Sequence, residues 1–146
     1  MENAVLIVKR FCGEELYPLE HAKWYFIGNT LWIDMAFKQG TKLHEDTEFL
    51  EQEPTWEVSF KAAGEEILRK GTIIENANEN ANENDEDALF YYCEHNPTYN
   101  NRLEILDRED NRLHIKMSGE CCDINYYDGS KGNDYLEIIA WIDKRA

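Results

Sequence analysis

The residues best suited to do chemistry are four cysteines, Cys12, Cys93, Cys121 and Cys122, four histidines, His21, His44, His95 and His114, and a pool of 30 carboxylates. Zinc requires thiolates or imidazoles that converge from close spacing, such as Cys-x-x-Cys or His-x-x-x-His, and none of these residues has such a neighbour. Asp123-Ile-Asn-Tyr-Tyr-Asp-Gly129 offers the oxygen atoms of half a calcium loop. It lacks the alternating acids and the closing bidentate Glu, so a polar turn is the expected structure. His44-Glu45-Asp46 and Cys93-Glu94-His95 can each be drawn as a base or a nucleophile site. Side chains adjacent along a strand point to opposite faces, so Cys93 and His95 share one only if the strand runs through His95, and a third, orienting group is missing. With so many carboxylates, a pair roughly 5–9 Å apart can be found on any β-domain, which gives a glycosidase reading no specific support. Phosphate-binding and dinucleotide glycine loops, a nucleophile elbow and the His-Glu-x-x-His pattern are all absent. The sequence therefore predicts no catalytic residues, no cofactor and no metal.

What remains is surface. The chain has 15 basic residues against its 30 acids, a net charge of -15 and a pI near 4.6. Affinity for a phosphate backbone comes from Lys and Arg displacing counterions, so direct nucleic-acid binding is disfavoured, as is an anionic membrane. The acids are clustered. Glu45, Asp46, Glu48, Glu51 and Glu53 surround Phe49 and Leu50, while a four-residue Asn/Glu repeat over residues 75–87 runs into Glu83, Asp85, Glu86 and Asp87. That repeat buries too little apolar surface to offset the entropy of ordering it, so a mobile acidic loop is expected at about 76–87.

Period-2 alternation supplies the scaffold that must position these groups. In residues 102–117, Leu103 and Ile105 alternate with Glu104, and Leu113, Ile115 and Met117 with His114 and Lys116. This is a hairpin, and an odd number of loop residues, three over 108–110 or else five, is required to put both apolar sets on one face. Residues 24–37 form a second hairpin around a Gly28-Asn29 turn that opposes Tyr25 to Trp32 and Trp24 to Ile33. Trp24, Phe26, Leu31, Ile33, Met35 and Phe37 then face the core, and Tyr25, Ile27, Thr30, Trp32 and Asp34 the other side.

Elsewhere, residues 4–11 read as a strand buried on nearly both faces, and 13–22 as a connection with room for one helical turn. A short helix is expected before Pro54, and Trp56, Val58 and Phe60 begin a half-buried strand after it. Residues 67–74 read as one kinked strand or two short ones with Gly71 as a bulge, 88–94 as a strand, 95–101 as a turn and 119–134 as a polar stretch. The last strand turns Leu136, Ile138, Ala140 and Ile142 inward, leaving Tyr135, Glu137, Ile139 and Trp141 outside.

About nine strands, little helix and no βαβ spacing predict an all-β fold, an antiparallel β-sandwich with a partly closed barrel as the alternative, in a single domain over residues 1–146. No signal peptide or membrane span can be built from the N-terminal residues, so reduced cysteines and a cytoplasmic location are expected, with an extracellular disulfide pair as the alternative. The outer-face aromatics and the acids then serve binding: Tyr25 and Trp32 as anchors, with the acids at 45–53 and 83–87 steering a cationic protein. The expected function is a non-catalytic acidic protein that recognises a basic partner, such as an inhibitor or immunity-type protein neutralising a nuclease toxin. The alternative is a β-sandwich that binds or hydrolyses a small ligand or glycan, with Trp32, Trp141 or the tyrosines as a stacking platform. Self-assembly into a homo-oligomer is left open.

Overall fold

The computed structural model describes residues 4–10, 13–42, 53–76, 88–92, 94–122 and 133–145. Its strands are β1 (Val5–Arg10), β2 (Gly13–Ile27), β3 (Thr30–Phe37), β4 (Thr41–Lys42), β5 (Thr55–Lys61), β6 (Ile73–Asn76), β7 (Ala88–Tyr92), β8 (Glu94–Pro97), β9 (Tyr99–Glu109), β10 (Arg112–Cys122) and β11 (Asn133–Lys144). They form one sheet in the order β6-β9-β10-β11-β1-β2-β3-β5-β7-β8, with β4 beside β2, curled into a nearly closed barrel. All pairings are antiparallel except a two-residue contact of β11 with β2. Of the two all-β outcomes expected, a single curled sheet is the one found.

Closure depends on two strands that change partners. β2 pairs with β1 through residues 13–18 and with β3 from Leu19 onward, with a bulge at Glu20 marking the transfer. β8 pairs with β7, and after Thr98 the chain continues as β9 against β10. These long strands overturn two expectations. Residues 13–22 are no connection with a helical turn, because pairing with β1 outweighs the weak local pattern. Likewise 95–101 is no simple turn: β9 begins at Tyr99, and Asn100, at φ 52°, forms a bulge within it.

The 24–37 hairpin has the expected register, Tyr25 opposite Trp32 and Trp24 opposite Ile33. Leu31, Ile33, Met35 and Phe37 are buried and Phe26 packs against them half-buried. In the β9–β10 hairpin the faces are as expected but the device differs. The loop has two residues, Asp110 and Asn111, and the odd residue is Leu106, bulged between the His114 and Ile115 pairings. β1 is one-sided rather than buried on both faces: Leu6, Val8 and Arg10 point inward while Lys9 is exposed. Residues 67–71 are not strand. A 3-10 turn at Glu65–Ile67 leads to a buried Leu68, and Gly71, at φ +94°, belongs to the turn that enters β6. The 119–134 stretch is shortened from both sides, since β10 runs to Cys122 and β11 starts at Asn133. The expected helix before Pro54 and most of the 76–87 loop lie outside the described residues; Asn76 itself ends β6.

Strand direction gives the barrel two ends. Arg10, Glu15, Cys122 and Asn133 lie at one, and the β9–β10 turn, Trp24 and Lys144 at the other. Between them the interior is filled by side chains, including Trp24, Trp56, Phe37, Phe60 and Phe90, all essentially buried.

Candidate functional site

At the Arg10 end the barrel interior is ionic. Alternation along β1 that turns Leu6 and Val8 inward does the same to Arg10, and β2 and β11 bring in Glu15, Tyr17 and Asp134. Arg10 Nη1 lies 3.1 Å from Glu15 Oε2, and the Tyr17 hydroxyl donates to Glu15 Oε1 at 2.7 Å. Asp134 Oδ2 is 4.0 Å from Arg10 Nε. The charged side chains are 0–3% exposed, so this cluster holds strands together and presents no reactive group to solvent.

Beside it lies a second polar group. Trp56 Nε1 donates to Thr98 Oγ1 at 3.3 Å, Thr98 Oγ1 to Asn101 Oδ1 at 2.9 Å, and Asn101 Nδ2 to the Thr98 carbonyl at 3.2 Å. The group packs against Gly119, where a Cβ would collide with Asn101 Oδ1. Among the described residues no three His, Cys, Asp or Glu side chains are grouped to hold a metal.

Twelve acids and one base lie outside the described residues, which leaves 18 acids against 14 bases, a net of -4, on the described body. The chain leaves that body at Lys42, Asn76 and Cys122. Lys42 pairs with Glu15, Asn76 with Asn101 and Cys122 with Asn133, so all three exits are at the Arg10 end, while the 77–87 segment rejoins the body at Ala88, opposite Val58 midway along β5. The segments that follow, 43–52, 77–87 and 123–132, carry eleven acids and a single Lys131. Glu45, Asp46, Glu48, Glu51, Glu83, Asp85, Glu86 and Asp87 are among them and lie outside the described residues. Glu53 is exposed next to Pro54, whose carbonyl accepts from the Phe37 amide at this end.

Tyr25 and Trp32, a cross-strand pair, are half-buried on the outer face. Trp32 is five residues from Phe37 along β3, about 17 Å, so the structure does not gather these aromatics and Glu53 into one patch. Tyr25 donates to Asp34 Oδ2 at 3.1 Å, and the Arg145 guanidinium lies 4.1 Å from its ring centre. Burial pushes the Tyr25 phenol above the ordinary tyrosine range, the Asp34 carboxylate adds to this, and Arg145 opposes it.

A further feature is a groove of about 910 Å³ on the barrel's flank, where β2 leaves β1. Half-buried Pro18 and Leu19, the core residues Ala22 and Ala140, and Lys23, Lys38, Arg112 and Trp141 are among the residues that line it. Trp141 stacks on His114 with ring centres 4.8 Å apart and planes 9° apart, and the Arg112 guanidinium is 5.2 Å from the Trp141 ring centre.

Sequence reasoning missed both the ionic interior and the groove. Arg10 and Asp134 were visible by parity, each falling on the apolar face of its own strand. The groove had no local signal, since it is assembled from β1, β2, β10, β11 and Lys38 just beyond β3. Compared with known families, curated proteins and solved structures, the chain matches none. No helix among the described residues is long and apolar enough to cross a membrane.

Proposed function

We propose that this chain is a non-catalytic binding protein that recognises a basic protein partner, in the manner of an inhibitor or immunity-type protein that neutralises a nuclease toxin. The observation that carries the reading is the uneven distribution of charge. A filled barrel with a net of -4 bears, at the exits of its Arg10 end, segments with eleven acids and one base. Such a field accelerates encounter with a cationic surface and orients it, while the rigid strands beneath supply a fixed frame. The packed interior also favours recognition on the outside over a ligand held within the barrel.

The test is a low-salt pull-down with the full chain and with a variant in which Glu45, Glu48 and Glu51 become Gln and Asp46 becomes Asn. The wild type retains a basic protein, releases it as salt shortens the screening length to about 3 Å near 1 M, and outperforms the variant. Retention of no basic protein, or retention indifferent to salt, contradicts the proposal. The flank groove favours a second reading, a small ligand or glycan held on the barrel's outer surface.

A further inference from the structure

We infer that the groove on the barrel's flank is a binding site for a small amphipathic organic anion, a compound with one acidic head on an apolar ring or chain. The groove is a consequence of how the sheet is sewn. β1 pairs with β2 as far as Val5 opposite Pro18, and β11 meets β2 only from Asp143 opposite Lys23 to Lys144 opposite Trp24. Among the described residues, 20–22 of β2 therefore have no strand beside them on that side, and the bulge at Glu20 opens the gap further.

Two properties select the ligand. Pro18 and Leu19 line the groove half-buried and offer dispersion contact to a ring or chain, and the gap between the strands reaches the core residues Ala22 and Ala140 behind them. Around it stand Lys23, Lys38 and Arg112 against two carboxylates, Glu20 and Asp143. Asp143 is shared, with Arg112 Nε at 3.1 Å and Lys23 Nζ at 3.9 Å. Lys38 forms no ion pair among the described residues and is exposed. A positive excess is thus built into one groove of a chain whose net charge is -15, and its complement is a single negative head. The size agrees: a groove of about 910 Å³ is in the range of small-molecule sites, roughly 300–1,000 Å³.

The test reads binding of a small molecule to the isolated chain, so its outcome is distinguishable from that of the proposed protein partner. The test is calorimetric titration of the full chain with 1-naphthoate and with octanoate, each beside its uncharged alcohol. One saturable site is expected for at least one of the anions. Its affinity falls about tenfold or more, about 1.4 kcal/mol, for the matching alcohol and for the double variant Lys23→Glu, Lys38→Glu. Both lysines are at the surface, and an unchanged melting temperature establishes that the variant is folded; should it melt early, Lys38→Glu alone is titrated in its place. No saturable binding of either anion, equal affinity for the alcohol, or equal affinity in a folded charge-reversed variant overturns the inference.

Discussion

The two ends of the barrel are closed by opposite means. At the Trp24 end Leu68 plugs the interior and ions remain outside: Lys144 pairs with Glu65 at 2.9 Å, with side chains 36% and 41% exposed. Arg108 donates to the carbonyls of Glu65 and Leu68, and both cations lie within 6 Å of the Trp24 ring centre. At the Arg10 end the ions themselves are the filling. An exposed ion pair contributes little because water screens it, whereas a buried one, broken from one side, leaves a charge with no water to replace its partner. One end is therefore held by apolar packing with polar trim and the other by buried ion pairing, and the acid-rich segments leave the body at the second.

The contrast is broken most severely at Arg10. Arg10→Met leaves Glu15 and Asp134 buried without their guanidinium and should cost about 3–5 kcal/mol, read as a lower urea midpoint at unchanged slope; a loss below about 1 kcal/mol would show that the cluster is not holding that end. Leu68→Ala removes the apolar plug and should cost about 3 kcal/mol, within the 2–5 usual for a buried leucine. Lys144→Met sharpens the comparison, since it breaks the same kind of pair as Arg10–Glu15 in a wet setting and should change stability by less than about 1 kcal/mol. The smallest effect belongs to Tyr25, whose proton the folded chain holds more tightly than the unfolded chain does. The stability this contributes is complete below the ordinary tyrosine value of about 10 and is lost as pH rises through the folded value. Tyr25→Phe should flatten the alkaline limb of a stability–pH curve and remove a late-titrating phenol from the absorbance at 295 nm; a phenol titrating in the ordinary range would contradict the structure here.

Where local rules leave no freedom, the sequence is legible. A two-residue Gly28-Asn29 turn admits one register, and the 24–37 hairpin follows it residue by residue. Residues 136–142 alternate without interruption, and their faces are as expected. Legibility fails where one strand serves two neighbours. β2 changes partner at Glu20, so no single period runs through residues 13–22, and Glu15, which faces a polar interior, looks like a surface residue. The β9–β10 hairpin shows a subtler limit: parity demands one odd residue, and whether the turn or a bulge at Leu106 supplies it depends on the twist of the whole sheet. Of the partner-binding residues expected, the acids were recognised as a class, but the departure of their segments from one end depends on topology that no local pattern records.

The central claim, that a cationic partner meets the molecule at the Arg10 end, is tested most directly by hydrogen exchange on the chain alone and in complex with the basic protein it captures. Slower exchange is expected in residues 13–17, 119–122 and 134–137, where the strands lead into the acid-rich segments, and no change across 108–113 at the opposite turn. Protection centred on 108–113 with the Arg10 end unaffected would contradict it.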